Sequence, residues 1–256
     1  MPISDSTQRF SSRVENYIRY RPGYPTELLD ILKRDCGLTV DSIVADIGCG
    51  TGFLAKLFLD YGNRVFGIEP NKEMREAGER FLHNYPKFMA LPGTAEDAPL
   101  PGQSVDLVTA GQAAHWFDRT RARREFVRIL KPPGWTVLVW NERATDSSPL
   151  LRAYEELIRT YGTDYDDVRR VDLEMASQIE AFFAPNLVHR ATFPNRQQFN
   201  FSGLQGRLLS SSYSPQEGHP NFVPMITELR RLFDAHQQGG LVEFEYQTRL
   251  HYGQLS

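Results

Sequence analysis

The stretch Val44-Ala45-Asp46-Ile47-Gly48-Cys49-Gly50-Thr51-Gly52 decides the fold of this chain. An apolar run over residues 43–47 leads into three glycines spaced two apart, and an apolar helical pattern over 53–59 follows at once. This order predicts a buried strand, a tight turn and the first turn of a helix. Glycine suits the turn because it adopts positive φ freely and lets a ligand approach bare backbone. The amides of a helix N-terminus lack intrahelical partners and would point at that ligand.

The carboxylate of Asp46, just before the turn, indicates which ligand the turn would bind. The dinucleotide fingerprint has the pattern G-x-G-x-x-G, whereas here the third glycine, Gly52, comes one residue early. The Gly-Lys-Ser/Thr ending of a phosphate-binding P-loop is absent. A diphosphate beside Asp46 would meet a like charge, while a cation would be attracted. S-adenosylmethionine, with its sulfonium and ammonium groups, fits such a site, and the alternative is that the glycines only make a tight turn.

Three segments resemble one protein family. The heptapeptide from Asp46 to Gly52 resembles the first motif of class I S-adenosylmethionine-dependent methyltransferases. The segment Tyr20–Pro25 is similar to the element before the core in many small-molecule members, including the trans-aconitate methyltransferase-like enzymes, and Gly111–Asp118 resembles a motif of the type 11 members. The resemblance implies a Rossmann-like methyltransferase fold and S-adenosylmethionine as the cofactor.

The resemblance also implies which residues bind this cofactor. It places Arg21 near the methionyl carboxylate, with an exposed surface turn as the alternative. Glu69, at the end of the second predicted strand, would accept hydrogen bonds from the ribose hydroxyls, a device that NAD enzymes share. Of Glu96 and Asp97, either of which could accept from the adenine amine, we expect Glu96. The expected cofactor-binding set is Arg21, Asp46, Gly48, Cys49, Gly50, Gly52, Glu69, Pro70, Ala95, Glu96 and Gln112.

His115 is the expected catalytic residue. It lies in the loop after the predicted strand 104–110, and loops at the carboxyl ends of parallel strands line the ligand site of such folds. Its imidazole could take a proton from a hydroxyl or amine acceptor, or orient an acidic acceptor as a donor. A carboxylate acceptor loses no proton and needs no base. A histidine that only packs beside Trp116 is the alternative.

The remaining pattern predicts an α/β fold with a doubly wound, mostly parallel seven-stranded sheet. Residues 242–252 alternate between apolar and polar, which predicts a half-buried last strand that runs antiparallel. Ser202-Gly203-Leu204-Gln205 fits a capping box at the start of a short helix. We expect four parts: a helical lid at 1–35, the S-adenosylmethionine-binding core at 36–142, a helical cap at 143–186, and the C-terminal part of the sheet with helices at 187–256.

Composition disfavours several other classes of protein. The chain has 256 residues, 41% hydrophobic and 24% charged, as is usual for a globular protein. Its net charge of −3 and the lack of a basic stripe disfavour a nucleic-acid partner. Its 2 cysteines cannot build a four-thiolate zinc site, and no metal is expected. No signal-peptide core or apolar run of about 20 residues is present, so we expect a cytoplasmic protein with no membrane partner.

We therefore expect an S-adenosylmethionine-dependent methyltransferase acting on the carboxylate or hydroxyl group of a small organic molecule. Arg207 could pair with an acidic acceptor. Two other classes are an NAD-dependent oxidoreductase and a non-catalytic protein that binds the cofactor as a sensor or scaffold. The acceptor pocket would be lined by Tyr17, Tyr20, His115, Trp116, Trp140 and Arg207.

Overall fold

The fold is built on a sheet of seven strands. In the computed structural model, which describes residues 13–167 and 178–255, the strands are β1 Ile43–Ile47, β2 Arg64–Ile68, β3 Phe88–Leu91, β4 Val105–Gly111, β5 Leu130–Arg143, β6 His189–Phe199 and β7 Val242–Gln254. Their order across the sheet is β3-β2-β1-β4-β5-β7-β6. β1 to β5 pair in parallel, and β7 runs antiparallel between β5 and β6. The prediction of a doubly wound sheet with an antiparallel last strand is confirmed.

Helices cover both faces of this sheet. Successive side chains of a strand point to opposite faces, and the two faces accordingly feed separate apolar clusters. Val44 packs with the helices that precede and follow β1, whereas Ala45 packs with α5 and α7. The helices are α1 Val14–Tyr20, α2 Glu27–Cys36, α3 Phe53–Tyr61, α4 Lys72–Phe81, α5 Arg119–Ile129, α6 Pro149–Tyr161, α7 at residues 178–183, α8 Phe201–Leu209 and α9 Phe222–His236.

A third apolar cluster lies beyond the sheet faces. It joins α6, α8 and α9 to the first half of β7, where Phe244 is fully buried. The second half of β7 belongs to a sheet-face cluster through Leu250. One continuous strand therefore connects the core of the sheet to the helices of the C-terminal half.

The predicted parts of the chain fall at the ends of these elements. The proposed cap begins at the last residue of β5, Arg143, and ends shortly before β6. The helices α6 and α7 fall within the cap, while its residues 168–177 lie outside the described part, as do the first twelve residues of the predicted lid. The four-part division of the chain stays a prediction. Within the described ranges, no helix is both long and apolar enough to cross a bilayer.

The predicted capping box at Ser202 is wrong. α8 begins one residue earlier, at Phe201, and its N-cap is Asn200, whose Oδ1 accepts a hydrogen bond from the Gly203 amide at 2.9 Å. Asparagine is among the strongest N-cap residues. Ser202 already lies inside the first turn of the helix.

Candidate active site

A cavity of about 910 Å³ lies at the carboxyl ends of β1, β2, β4 and β5. This volume is at the upper end of the range of small-molecule sites, about 300–1,000 Å³. The cavity brings together most of the residues that the sequence singled out. Its lining includes Arg21, Asp46, Gly48, Cys49, Gly50, Glu69, Pro70, Ala95, Glu96, Gln112 and His115.

The glycine turn forms one wall of the cavity. Gly48 has φ of 65° and donates its amide to the Ile68 carbonyl at 2.8 Å. A side chain at this position would place its Cβ 2.7 Å from the Cβ of Ala113. Gly52 is the exception among the predicted cofactor residues, because it does not line the cavity. It is the N-cap of α3 with a φ of 88°, and a Cβ there would lie 2.6 Å from Leu82 Cδ1, so backbone conformation and close packing together explain this glycine.

Asp46 is the most buried charged group of the cavity wall, with 1% of its surface exposed. The parallel register pairs it with Thr109 on β4, whose Oγ1 donates a hydrogen bond to Asp46 Oδ1 at 2.9 Å. Asp46 Oδ2 has no hydrogen-bond partner among the described residues. Burial raises the pKa of this carboxyl to about 7, the Thr109 hydrogen bond and the nearby Ala55 amide oppose the rise, and the charge of Glu69 adds to it. Asp46 Oδ2 thus remains available as a hydrogen-bond acceptor, and a nearby cation would stabilise the carboxylate.

Glu69 follows β2 and is held by backbone amides. Its Oε2 accepts from the Gly50 amide at 2.9 Å, and its Oε1 accepts from the Asn71 amide at the same distance. Burial raises the pKa of Glu69, and these two hydrogen bonds oppose the rise. A carboxylate oxygen accepts more than one hydrogen bond. Glu69 can therefore tie the glycine turn to α4 and still accept from a pair of ligand hydroxyls. With Asp46 it forms what we call the acidic end of the cavity.

The predicted adenine contacts lie beside the acidic end. Ala95 and Glu96 line the cavity, whereas Asp97 does not. Glu96 Oε1 accepts a hydrogen bond from the Asp118 amide at 2.8 Å, at the N-terminus of α5. Gln112 adopts a positive φ of 59° and donates its side-chain amide to the Asn141 carbonyl at 2.9 Å. These contacts fix both side chains at the rim, and their roles toward adenine stay a prediction.

Two histidines face the cavity. His115 lies in a short 3-10 helix, Ala114–Trp116, with its ring centroid 4.7 Å from that of Trp116. His251 on β7 packs edge-on against Trp140. Burial lowers the pKa of His251 to about 4, and the nearby Arg190 and Arg249 lower it further, so this imidazole is neutral near pH 7. The alternating pattern of β7 had assigned His251 only to the polar face of the strand.

Three arginines, Arg21, Arg143 and Arg207, also line the cavity, and we call this group the arginine end. Arg21 donates from Nη2 to the Ser210 carbonyl at 2.9 Å and stacks on the Tyr17 ring. Burial lowers the pKa of Arg21, and the positive charge of Arg207 lowers it further. Arg21 thus lies near a second buried cation.

Arg143 and Arg207 each contact a tyrosine of the third apolar cluster. The Arg143 guanidinium donates to Glu155 Oε2 at 2.5 Å and lies over the Tyr154 ring. Arg207, 5% exposed, donates from Nε to the Tyr246 hydroxyl at 3.0 Å. No sequence pattern pairs Arg143 with Glu155, because the contact depends on how α6 folds back.

Several lining residues were missed from the sequence. Tyr24 lies within the recognised Tyr20–Pro25 segment, and burial raises the pKa of its hydroxyl well above the usual range. Tyr165 and Tyr213 line the arginine end with ring centroids 4.8 Å apart. Only the position of Tyr24 in the Tyr20–Pro25 segment could have indicated that it lines the cavity. Tyr165 and Tyr213 are distant in sequence and belong to no pattern.

The side chains of this cavity suit a ligand that carries both positive and negative groups. The acidic end offers two buried carboxylates, which suit a cation and ribose hydroxyls. These residues therefore fit S-adenosylmethionine, because Asp46 Oδ2 has no partner among the described residues and Glu69 lines the cavity. They do not favour a diphosphate at the turn.

Residues 45–138 match a family model described as a methyltransferase domain. The fold agrees with that of a proposed type II methyltransferase from Anaeromyxobacter dehalogenans, at a TM-score of 0.70 and 21% identity over 92% of this chain and 98% of the other. The chain therefore carries a segment similar to a methyltransferase domain on a fold shared with methyltransferase structures, and such a domain implies S-adenosylmethionine as the methyl donor. The class I resemblance is confirmed, while the trans-aconitate-like subtype stays a prediction.

Curated relatives carry the same family name. An uncharacterized methyltransferase of Mycobacterium tuberculosis is 39% identical over 165 residues, 64% of this chain and 63% of the relative. An uncharacterized methyltransferase-like protein of Schizosaccharomyces pombe is 30% identical over 156 residues, 60% of this chain and 59% of the relative. The chain thus spans less than two thirds of the length of these relatives. Their similarity supports the family and leaves the acceptor open.

Proposed function

We propose that this protein transfers a methyl group from S-adenosylmethionine to a small organic acceptor through a carboxylate or hydroxyl oxygen. One observation carries the proposal: the acidic end puts a buried carboxylate with a free oxygen, Asp46, beside the glycine turn in a large cavity. A buried, unpaired carboxylate is unfavourable unless a cationic ligand compensates it. The family's methyl donor is such a ligand.

The residues of the chain would hold the donor by charge and hydrogen bonding. Asp46 would attract its positive groups, Glu69 would accept from its ribose hydroxyls, and Arg21 would pair with its carboxylate. When bound, the cofactor supplies a methyl group on a sulfonium, whose carbon–sulfur electron pair stays on sulfur as an acceptor lone pair forms the new bond. The chain's main contribution would be to position the acceptor and exclude water.

The nature of the acceptor decides whether a base is needed. A carboxylate attacks through an oxygen that carries no proton, whereas a hydroxyl must lose one. His115 lines the cavity and could take that proton or orient the acceptor. The neutral imidazole of His251 is a second group that could hydrogen-bond an acceptor. We propose His115 as the base only for a hydroxyl acceptor.

Calorimetric titration of the full chain tests the proposed donor. We expect S-adenosylmethionine and S-adenosylhomocysteine to bind, and we expect Asp46→Asn to weaken S-adenosylmethionine binding by about 10- to 100-fold, the usual effect of losing a buried charged contact. Asp41→Asn, an exposed aspartate just before β1, is the matched control and should bind like the wild type. An Asp46→Asn variant with unchanged affinity would contradict the proposal.

The other two classes are distinguished by separate measurements. NADH binding tighter than S-adenosylmethionine binding would favour an oxidoreductase. Release of S-adenosylhomocysteine with a panel of acids, phenols and amines reports turnover. Cofactor binding without release across the whole panel would favour a sensor or scaffold.

A further inference from the structure

We propose that the arginine end binds a carboxylate of the methyl acceptor, with Arg207 as the anchor, so that the substrate class is organic acids. This inference rests on the proposed function and deepens it. The folded chain leaves the Arg207 guanidinium without a counter-ion among the described residues. Binding of carboxylates can be tested without knowing the substrate.

The arginines that line the cavity differ in their counter-ions. Three of the five pair with carboxylates: Arg143 with Glu155, Arg249 with Glu142, and Arg190 with Glu180. Neither Arg21 nor Arg207 has a carboxylate within 4.0 Å among the described residues. Buried charges in proteins are normally paired. The arginine end therefore carries uncompensated positive charge.

The hydrogen bonds of Arg207 hold it in place without using all of its donors. Its Nε donates to the Tyr246 hydroxyl at 3.0 Å, and its Nη1 donates to Ser211 Oγ at 3.1 Å. Both partners are neutral. Within the described residues Nη2 makes no hydrogen bond, although the side chain lines the cavity. A fixed guanidinium with one unused edge is suited to a carboxylate.

The other groups of the arginine end surround the same spot. Arg21 donates to the Ser210 carbonyl, and Arg207 donates to the hydroxyl of the next residue, Ser211. The two guanidinium groups therefore lie close together at the loop after α8. Tyr213 also lines the cavity. Two unpaired cations in one neighbourhood repel each other unless anions lie between or beside them.

Two carboxylates can reach the arginine end, one from the cofactor and one from the acceptor. Arg21 lies on the N-terminal segment that resembles the element near the methionyl carboxylate, and it accounts for the first. Arg207 is on α8, and its partners are on β7 and in the loop after α8. None of these elements contributes a predicted cofactor residue. We therefore assign Arg207 to the acceptor.

A thermal-shift assay on the full chain saturated with S-adenosylhomocysteine tests this assignment. The probes are succinate, glutarate and benzoate, each compared with its amide at matched ionic strength. We expect at least one acid, and none of the amides, to raise the melting temperature by about 2 °C or more. Arg207→Met should abolish the shift, and Arg207→Lys should restore part of it because the charge is retained. Arg231→Met, an exposed arginine paired with Glu228 on α9, is the control and should behave like the wild type.

The outcomes separate this inference from the proposed function. An initial titration that shows no binding of S-adenosylhomocysteine contradicts the proposed function and the inference together. Cofactor binding with no response to any acid, or a response that survives Arg207→Met, overturns the inference alone. If Arg207→Met instead weakens S-adenosylhomocysteine binding about tenfold and removes no acid response, Arg207 serves the cofactor and the assignment to the acceptor is wrong.

Discussion

Burial makes the negative charge of Asp46 unfavourable in the ligand-free protein. Burial raises its pKa to about 7, well above its value in an unfolded chain. The unfolded chain therefore ionises at lower pH than the folded one, and the free energy of unfolding falls as the pH rises from about 4 to about 7. Strain of this kind at a binding residue is a familiar exchange of stability for function.

Replacing Asp46 by asparagine should consequently stabilise the free protein at high pH. Thr109 can still donate to the new amide oxygen, while the charge is gone. One pKa unit corresponds to about 1.4 kcal/mol, so the gain is a few kcal/mol at most. Melting temperatures of Asp46→Asn and wild type should agree near about pH 4 and diverge toward about pH 8. Equal melting temperatures at both values would show that the Asp46 carboxyl is not destabilised by burial.

The same titration should govern cofactor affinity. Below its pKa of about 7 Asp46 is neutral, and above it the carboxylate attracts the positive groups of S-adenosylmethionine. We expect the dissociation constant to decrease by up to about tenfold between about pH 6 and about pH 8. Calorimetry on Asp46→Asn over the same range supplies the contribution of other titrating groups. A wild-type profile parallel to that of the variant would contradict the role of Asp46.

At the scale of elements, α1 depends on a glycine of α8. A Cβ at Gly206 would lie 2.0 Å from the ring of Tyr20, the last residue of α1. Arg21 follows directly and reaches the Ser210 carbonyl beyond α8. The position of the N-terminal segment over the cavity therefore rests on the absence of a side chain at Gly206.

Gly206→Ala should move α1 away from α8 and weaken S-adenosylhomocysteine binding by about tenfold, because Arg21 and Tyr17 would leave the cavity wall. The substitution would otherwise favour a helix by about 1 kcal/mol. Titration calorimetry measures the affinity. The double variant Tyr20→Ala with Gly206→Ala removes the clash and should recover part of the affinity. A double variant as weak as the single one would speak against this contact.

The sequence predicts elements best where local pattern and tertiary packing agree. β1, the glycine turn and α3 follow from Ile43 to Leu59 because the apolar runs, the glycines and the helix start all point to one structure. The predicted N-cap of α8 was wrong because Ser202 matches a capping pattern, whereas Asn200, two residues earlier, accepts the capping hydrogen bond from the Gly203 amide. Gly52 was predicted to face the ligand, whereas its backbone conformation and the nearby Leu82 side chain explain why this position is a glycine.

At the scale of the whole molecule, the two ends of the cavity rest on different apolar clusters. Phe244 on β7 packs against Tyr154 and Phe199 in the cluster that supports the arginine end. Phe58 on α3 is equally buried in the sheet-face cluster beneath the glycine turn. The acidic end could be predicted because its residues are close in sequence. Arg21 and Arg207 were each predicted near the ligand, but their grouping with Arg143 could not be predicted, since the three residues meet only after the chain has folded.

Matched truncations of these two residues should separate the two ends. Phe244→Ala and Phe58→Ala should each lower the free energy of unfolding by about 3–5 kcal/mol. We expect Phe244→Ala to weaken the response to carboxylates more than S-adenosylhomocysteine affinity, and Phe58→Ala to show the reverse order. Chemical denaturation gives the stability, and the thermal-shift and calorimetric titrations give the binding. Identical binding losses in both variants would mean that the clusters do not act separately.

The path of β7 also limits how this protein could be re-engineered. One uninterrupted strand packs against β5 over Trp135–Arg143 and supplies Tyr246 to Arg207. A graft that replaced only the C-terminal helices by those of another family member would cut across this shared strand. Chimeras that exchange acceptor preference will need to carry β7 and its neighbours as one piece, with the crossover placed before β6.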